Sequence, residues 1–151
     1  MRQSDMIVFI QGVMAYFKQF ESSPPEVGVP YPQHADFVFL DYTGAIGISG
    51  ERKGCIYVTA SRSMMDDLIA SLGLGGGDEV LRLDAIGELA NTVSGNAEHF
   101  FGPGFRISVP MVITGMGHNI HLPLAVPVFT VPFDWKGHKS YLVVGMPLDD
   151  K

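Results

Sequence analysis

The sequence predicts an α+β fold in which a largely antiparallel sheet packs against helices, in the order α-β-β-α-α-β-β-β. Three observations predict it. Apolar residues recur at helical spacing in three segments, five further segments read as strands, and the helical and strand-like segments fall in separate runs rather than alternating. The 151 residues are 46% hydrophobic, enough for a real core, and are read as a single domain over residues 1–151.

The first helix is expected over residues 4–20, where Ile7, Ile10, Val13, Met14, Phe17 and Phe20 share a face and Ser4 or Asp5 caps the start. Gln11, Lys18 and Gln19 interrupt its apolar run, which is too short to span a bilayer and has neither the basic leader nor the cleavage site of a signal peptide. Residues 22–33 contain Pro24, Pro25, Pro30 and Pro32, and proline removes amide donors, so an extended surface connection is expected there.

Residues 36–49 read as a strand, with Phe37, Phe39, Asp41 and Thr43 alternating against Val38, Leu40 and Tyr42. Residues 55–60 read as a second. The glycine-bounded segment Gly50-Glu51-Arg52-Lys53-Gly54 has the composition of a hairpin turn, which makes the two strands antiparallel partners. A second helix follows over 61–72, from the spacing of Met64, Met65, Leu68, Ile69 and Leu72, and the glycine run 73–77 ends it. Asp78 is placed to cap the third and longest helix, 78–101, which Gly102-Pro103-Gly104 stops. Three strands are expected at 105–114, 120–133 and 140–146, separated by Gly115-Met116-Gly117 and Asp134-Trp135-Lys136-Gly137. Pro123, Pro127 and Pro132 push parts of the middle one toward an edge or a bulge.

Charge and composition exclude several functions. A net charge of -6 with scattered Lys and Arg argues against a nucleic-acid surface. Cys55 is the only cysteine, so neither an intramolecular disulfide nor a cysteine-held zinc is possible, and a soluble, cytoplasmic protein with no membrane partner is expected. His118 and His121 lie three apart and would point to opposite faces of a strand, and His138 adds no ligand spacing, so no metal site is expected. Cys55 begins an apolar strand with no activating base nearby and reads as a small core residue. The glycine run 73–77 lacks the lysine and serine of a phosphate loop. The eight methionines read as core filler, and Trp135 as a residue in a turn that caps a sheet end.

The third helix carries the functional signal. At about 100° per residue, Ile86, Leu89, Ala90, Val93, Ala97, Phe100 and Phe101 gather on a side expected to be buried. Asp84, Glu88, Asn91, Gly95 and Glu98 form the opposite stripe. Polar faces are ordinary on amphipathic helices, but Gly87 and Gly95 flank this one, and each interior glycine costs roughly 0.8–1 kcal/mol relative to alanine. A surface on which another backbone lies close would account for them.

The string Asp84-Ala-Ile-Gly-Glu88-Leu-Ala-Asn91-Thr-Val-Ser-Gly95-Asn96-Ala97 resembles the signature helix of the CheC, CheX and FliY chemotaxis phosphatases: an Asp or Ser, three residues, Glu, two residues, Asn, then a distant proline. Pro110 is the candidate for that proline, somewhat sooner than the family's spacing. The order of elements is also similar to that of CheX, so the resemblance extends over nearly the whole chain. It implies a CheX-like domain that dephosphorylates the phospho-aspartate of a CheY-like receiver domain. CheC is similar to a duplicated arrangement with two signature helices, but here Gln11-Gly-Val-Met14 occupies the corresponding place and lacks the signature's acid, with Gln11 in its position, and its amide, with Met14 in its position, so one site per chain is expected.

For that chemistry the resemblance makes Glu88 and Asn91 the catalytic pair. A carboxamide accepts from a water and donates to a phosphoryl oxygen, so Asn91 is expected to orient the attacking water. Glu88, one turn earlier, is expected to pair with a lysine beside the partner's phosphorylation site. Asp84, Gly87, Gly95 and Glu98 are expected to contact the partner, Asp84 either by extending the acidic surface or by favouring the helix dipole. No cofactor is expected on this chain, since the receiver supplies Mg²⁺ in its own active site. CheX also resembles a dimer joined by its sheet edges, and the apolar C-terminal strands are the expected contact for a homodimer. A different class of function for the same acidic face is a non-catalytic binding module that docks a receiver domain or another signalling component.

Overall fold

The computed structural model describes residues 5–20, 24–75, 77–115 and 120–147. The expected helices are α1 (Met6–Phe17), α2 (Arg62–Ser71) and α3 (Glu79–Phe101). The strands are β1 (Glu26–Val27), β2 (Tyr31–Pro32), β3 (Tyr42–Gly50), β4 (Gly54–Ala60), β5 (Phe105–Ile107), β6 (Met111–Thr114), β7 (Val128–Trp135) and β8 (His138–Gly145). The order of the longer elements follows the sequence expectation, and every strand pairing is antiparallel. The sheet runs β1-β7-β8-β4-β3-β5, with β2 also on β7 and β6 also on β3.

Local chemistry sets the element ends. The Ser61 hydroxyl accepts from the Met64 amide at 3.2 Å and caps α2, and the Asp78 carboxylate accepts from the Val80 amide at 2.8 Å and caps α3. Asp5 stands at the N-cap of α1, while Ser4 lies outside the described residues. The β7–β8 hairpin turns through Lys136 and Gly137, both at positive φ, the backbone that matches the twist of a two-residue hairpin.

Helices α1 and α3 lie on one face of the sheet over a core of Met6, Phe9, Ile46, Ile56, Ile86 and Leu89. Burying side chains of this size contributes roughly 1.5–3 kcal/mol each. A Cβ on Gly12 would stand 2.8 Å from the Val93 Cα, so the two helices cross with their backbones nearly touching. The Asn96 carboxamide donates to the Val8 carbonyl at 2.9 Å and fixes the same crossing.

The opposite face has its own smaller core of Ala45, Cys55, Tyr57, Val128 and Val143. It explains two departures from the sequence expectation. Residues 36–41 are not part of the first strand; they cross behind the sheet, where Phe39 stacks on Tyr57 at 4.7 Å, the Tyr57 hydroxyl donates to the Val38 carbonyl, and the Leu40 amide donates to the Thr59 hydroxyl. Residues 120–127 likewise lie outside β7, and Leu122 and Leu124 cover the same rear core.

Four further corrections follow. The proline-rich connection contributes β1 and β2, which pair with β7. The strand expected over 105–114 is interrupted at Ser108-Val109-Pro110, because Pro110 has no amide to donate. Trp135 ends β7 rather than standing in the turn, and it is buried against Phe17 and Phe20. Finally, β8 is internal and β7 is covered by β1 and β2, so these C-terminal strands do not offer the edges expected for self-association. The turn at Gly115-Met116-Gly117 falls partly outside the described residues.

Candidate functional site

Helix α3 is positioned at its first turn by a buried cation. The Arg82 guanidinium donates from Nε to Asp66 of α2 at 2.7 Å and from Nη1 to Glu79 at 3.3 Å, while the Tyr42 hydroxyl of β3 donates to Glu79. The hydrogen bond to Asp66 holds the Arg82 pKa above the ordinary arginine value, and the hydrogen bond to Glu79 raises that of Tyr42. Two helices and the sheet are thereby tied at one point. Further along, Ile86, Leu89, Ala90, Val93 and Ala97 are fully buried, as the helical period predicts. Phe100 is 65% exposed and leaves the expected buried side.

The stripe emerges where the period places it. Asp84, Glu88, Asn91 and Glu98 are exposed, and Gly95 is partly so. The two glycines separate in role. A Cβ on Gly87, which is buried, would stand 3.3 Å from Val112 and 3.6 Å from Pro110, so this position admits the chain's own β5–β6 loop. A Cβ on Gly95 would meet nothing within 4 Å, so nothing among the described residues accounts for that glycine.

Asp84, Glu88 and Asn91 form one wall of a groove of about 640 Å³ whose other wall is Ser108, Val109 and Pro110. That second wall is held to β3: the Gly47 amide donates to the Ser108 hydroxyl at 2.9 Å, and the Ser108 amide donates to the Gly47 carbonyl at 3.0 Å. Ser108 in turn donates its hydroxyl proton to the Val109 carbonyl at 2.9 Å. The proline and the Glu88–Asn91 pair, far apart in sequence, thus line the same space.

Asp84 and Glu88 also line a second groove, of about 440 Å³, on the other side of α3. Tyr16 and Gln19 of the α1 end, Leu72 and Leu74 beyond α2, and Leu81 and Thr92 of α3 complete it. Burial, and secondarily the negative charge of Glu88, raise the Tyr16 hydroxyl pKa. Sequence reasoning missed this groove and the Ser108–Val109 wall. Apart from Asp84 and Glu88, only Pro110 among their residues carried a functional signal in the sequence.

Other expectations resolve as follows. Cys55 is buried, and desolvation pushes its thiol up to about 11, so it is not a thiolate at neutral pH. His138 pairs with Asp67 at 2.6 Å and His121 is exposed, while His118 lies outside the described residues. Among the described residues, no group of three or more His, Cys, Asp or Glu side chains is arranged to hold a metal ion, and no helix is long and apolar enough to cross a membrane.

The family model of the chemotaxis phosphatase CheX matches residues 42–134, from the start of β3 into β7. The chain belongs to this family. The matched span includes all of α3 and the β5–β6 loop, and so both walls of the larger groove. Among solved structures, the chemotaxis protein CheX from Desulfovibrio desulfuricans is 26% identical, with a TM-score of 0.79 over 95% of this chain and 98% of that one. The CheC-like superfamily protein from Shewanella sp. PV-4 has a TM-score of 0.84 at 21% identity over 98% of this chain and 100% of that one, a likeness of fold. The same holds for a chain of the CheX-CheY-BeF3-Mg complex from Borrelia burgdorferi, with a TM-score of 0.78 at 17% identity over 97% of this chain and 100% of that one. No protein of curated function matches the sequence.

Proposed function

We propose that this protein hydrolyses the phospho-aspartate of a CheY-like receiver domain, Asn91 orienting the attacking water and Glu88 docking the partner. The observation that carries the reading is the placement of Glu88 and Asn91, one turn apart and both exposed, along a groove closed on its far side by Pro110. Membership of the CheX family and the existence of a CheX-CheY complex in Borrelia burgdorferi support the choice of partner.

Hydrolysis of an acyl phosphate needs little from the phosphatase beyond position. The water oxygen forms the new bond to phosphorus as the bond to the aspartyl oxygen breaks, and the aspartate departs as a stable carboxylate while the water proton passes to solvent or phosphate. Asn91 suits the step because its Oδ1 accepts from the water while its Nδ2 donates to a phosphoryl oxygen. Neither function requires a titrating group beside Asn91. Mg²⁺ carried by the receiver supplies charge neutralisation at the phosphoryl group. Glu88 contributes a carboxylate that a lysine of the receiver can grip, which sets the register in which Asn91 meets the phosphoryl group.

The test is phosphate release from a phosphorylated receiver. Asn91→Ala is expected to lower kcat about 100-fold, the cost of losing a positioned reactant, with binding retained. Glu88→Ala is expected to raise KM about ten-fold through the lost charged hydrogen bond. Complex formation by the wild-type protein with no acceleration of phosphate loss would instead identify a non-catalytic docking module.

A further inference from the structure

The second groove gives Asp84 a role that the proposed chemistry leaves open. A stable protein–protein contact covers on the order of 800 Å² on each partner, more than the three exposed side chains Asp84, Glu88 and Asn91 present. A receiver seated on that ridge must therefore cover neighbouring surface, and the ridge has a groove on each side. The Asn91 groove is the one that must admit the phosphoryl group. The other shares Asp84 and Glu88 as its wall and is lined otherwise by neutral side chains.

Three features specify what this second groove takes. Its rim is acidic and its described lining residues include no cation, which favours a positively charged occupant. Its sides are apolar: Leu72, Leu74 and Leu81 stand against Tyr16. Leu74 is 54% exposed, although at the end of α2 a leucine in this position commonly folds back onto the helix. The Gly73 amide donates to Ala70 at 3.0 Å and the Leu74 amide to Ile69 at 3.2 Å, and Gly73 and Gly75 on either side adopt positive φ. The backbone on both sides of the leucine is thus set by a bonded turn and two left-handed glycines. An apolar trough ending at a carboxylate matches a lysine or arginine, whose methylene stem lies on apolar surface while its charged head stays at the rim. Asp84 lies beyond the first turn of α3, where the helix dipole no longer rewards an acid.

Resting on the reading that the partner is a phosphorylated receiver, we infer that the groove between Tyr16, Leu74 and Leu81 takes a second basic side chain of that receiver, with Asp84 as its counter-charge. Asp84 is then a specificity-determining residue, separate from the Glu88 contact that sets the catalytic register. Receivers that lack a lysine or arginine at the corresponding distance are poor substrates.

The experiment compares Leu74→Lys with Leu74→Glu in the full chain, at an exposed position where either side chain is compatible with the fold. With a phosphorylated receiver as substrate, Leu74→Lys is expected to raise KM about ten-fold while kcat stays within about two-fold, and Leu74→Glu, which adds charge of the attracting sign while removing apolar surface, to shift KM at least about three-fold less far upward than Leu74→Lys does or to lower it. Asp84→Asn is expected to raise KM and flatten its dependence on salt. An equal rise in KM for both Leu74 variants would mean a purely apolar occupant and would overturn the inference, as would no change in either. Should Asn91→Ala retain full kcat, the catalytic reading fails alone, because the affinity of the same Leu74 variants for a beryllofluoride-loaded receiver still reads the groove.

Discussion

Helices α1 and α3 lie against each other, and each shows solvent one narrow stripe. On α1 the stripe is Ile7, Gln11 and Ala15; on α3 it is Asp84, Glu88, Asn91 and Glu98. Their buried sides are alike, apolar and interlocked at Gly12 and Val93. The difference shows that the fold requires the crossing and is indifferent to what faces outward. The outward face of α3 carries an acid and an amide one turn apart beside a groove, whereas that of α1 has neither acid nor a second amide.

The comparison can be broken most severely at the crossing. Gly12→Val places new atoms against the Val93 backbone, which cannot rotate away, so α1 must move. Overpacking of this kind costs about 1–3 kcal/mol, read as a fall in the denaturant midpoint. Gly95→Ala acts on the stripe alone. Because a Cβ there meets nothing, helix propensity is expected to raise stability by roughly 0.8–1 kcal/mol while KM for the phosphorylated receiver rises, the pairing expected if a partner backbone passes over this position. Greater stability with unchanged KM would place the partner elsewhere. The smallest effect is expected for Gln11→Ala, within about 0.5 kcal/mol in stability and without change in dephosphorylation rate. A clear loss of kcat there would mean that α1 carries a second site.

Much of this contrast was legible in the sequence, because a helix writes both of its faces into one period. The exposure of Asp84, Glu88 and Asn91 and the burial of Ile86, Leu89 and Val93 follow from that period alone. Phe100 escaped it because helix ends need not stay against the core. Phe37 and Phe39 misled for a different reason: alternation reports burial, and these residues are partly buried behind the sheet without belonging to it. The short strands β1 and β2 were hidden by prolines, which deny their own amides but leave those of their neighbours, so the Gly28 amide donates to the Pro132 carbonyl at 2.8 Å and the Gln33 amide to the Val128 carbonyl at 2.9 Å. The second groove had no linear signature at all, since its walls come from α1, the end of α2 and α3. At Gly87 the sequence suggested another backbone lying close, whereas the atoms a Cβ would approach are the side chains of this chain's own Val112 and Pro110.

Strand β3 touches both walls of the larger groove. Helix α3 packs directly on it, and the Ser108–Pro110 wall is bonded to its Gly47. The gap in which Asn91 would meet a phosphoryl group is therefore a dimension of a single strand, as fixed as the spacing between two teeth on one comb. A partner entering it would meet two walls already anchored to one strand, and the exposed Glu88 and Asn91 side chains would be the parts left to order. Discrimination would then fall to the shape and charge of the incoming surface, not to movement of the walls.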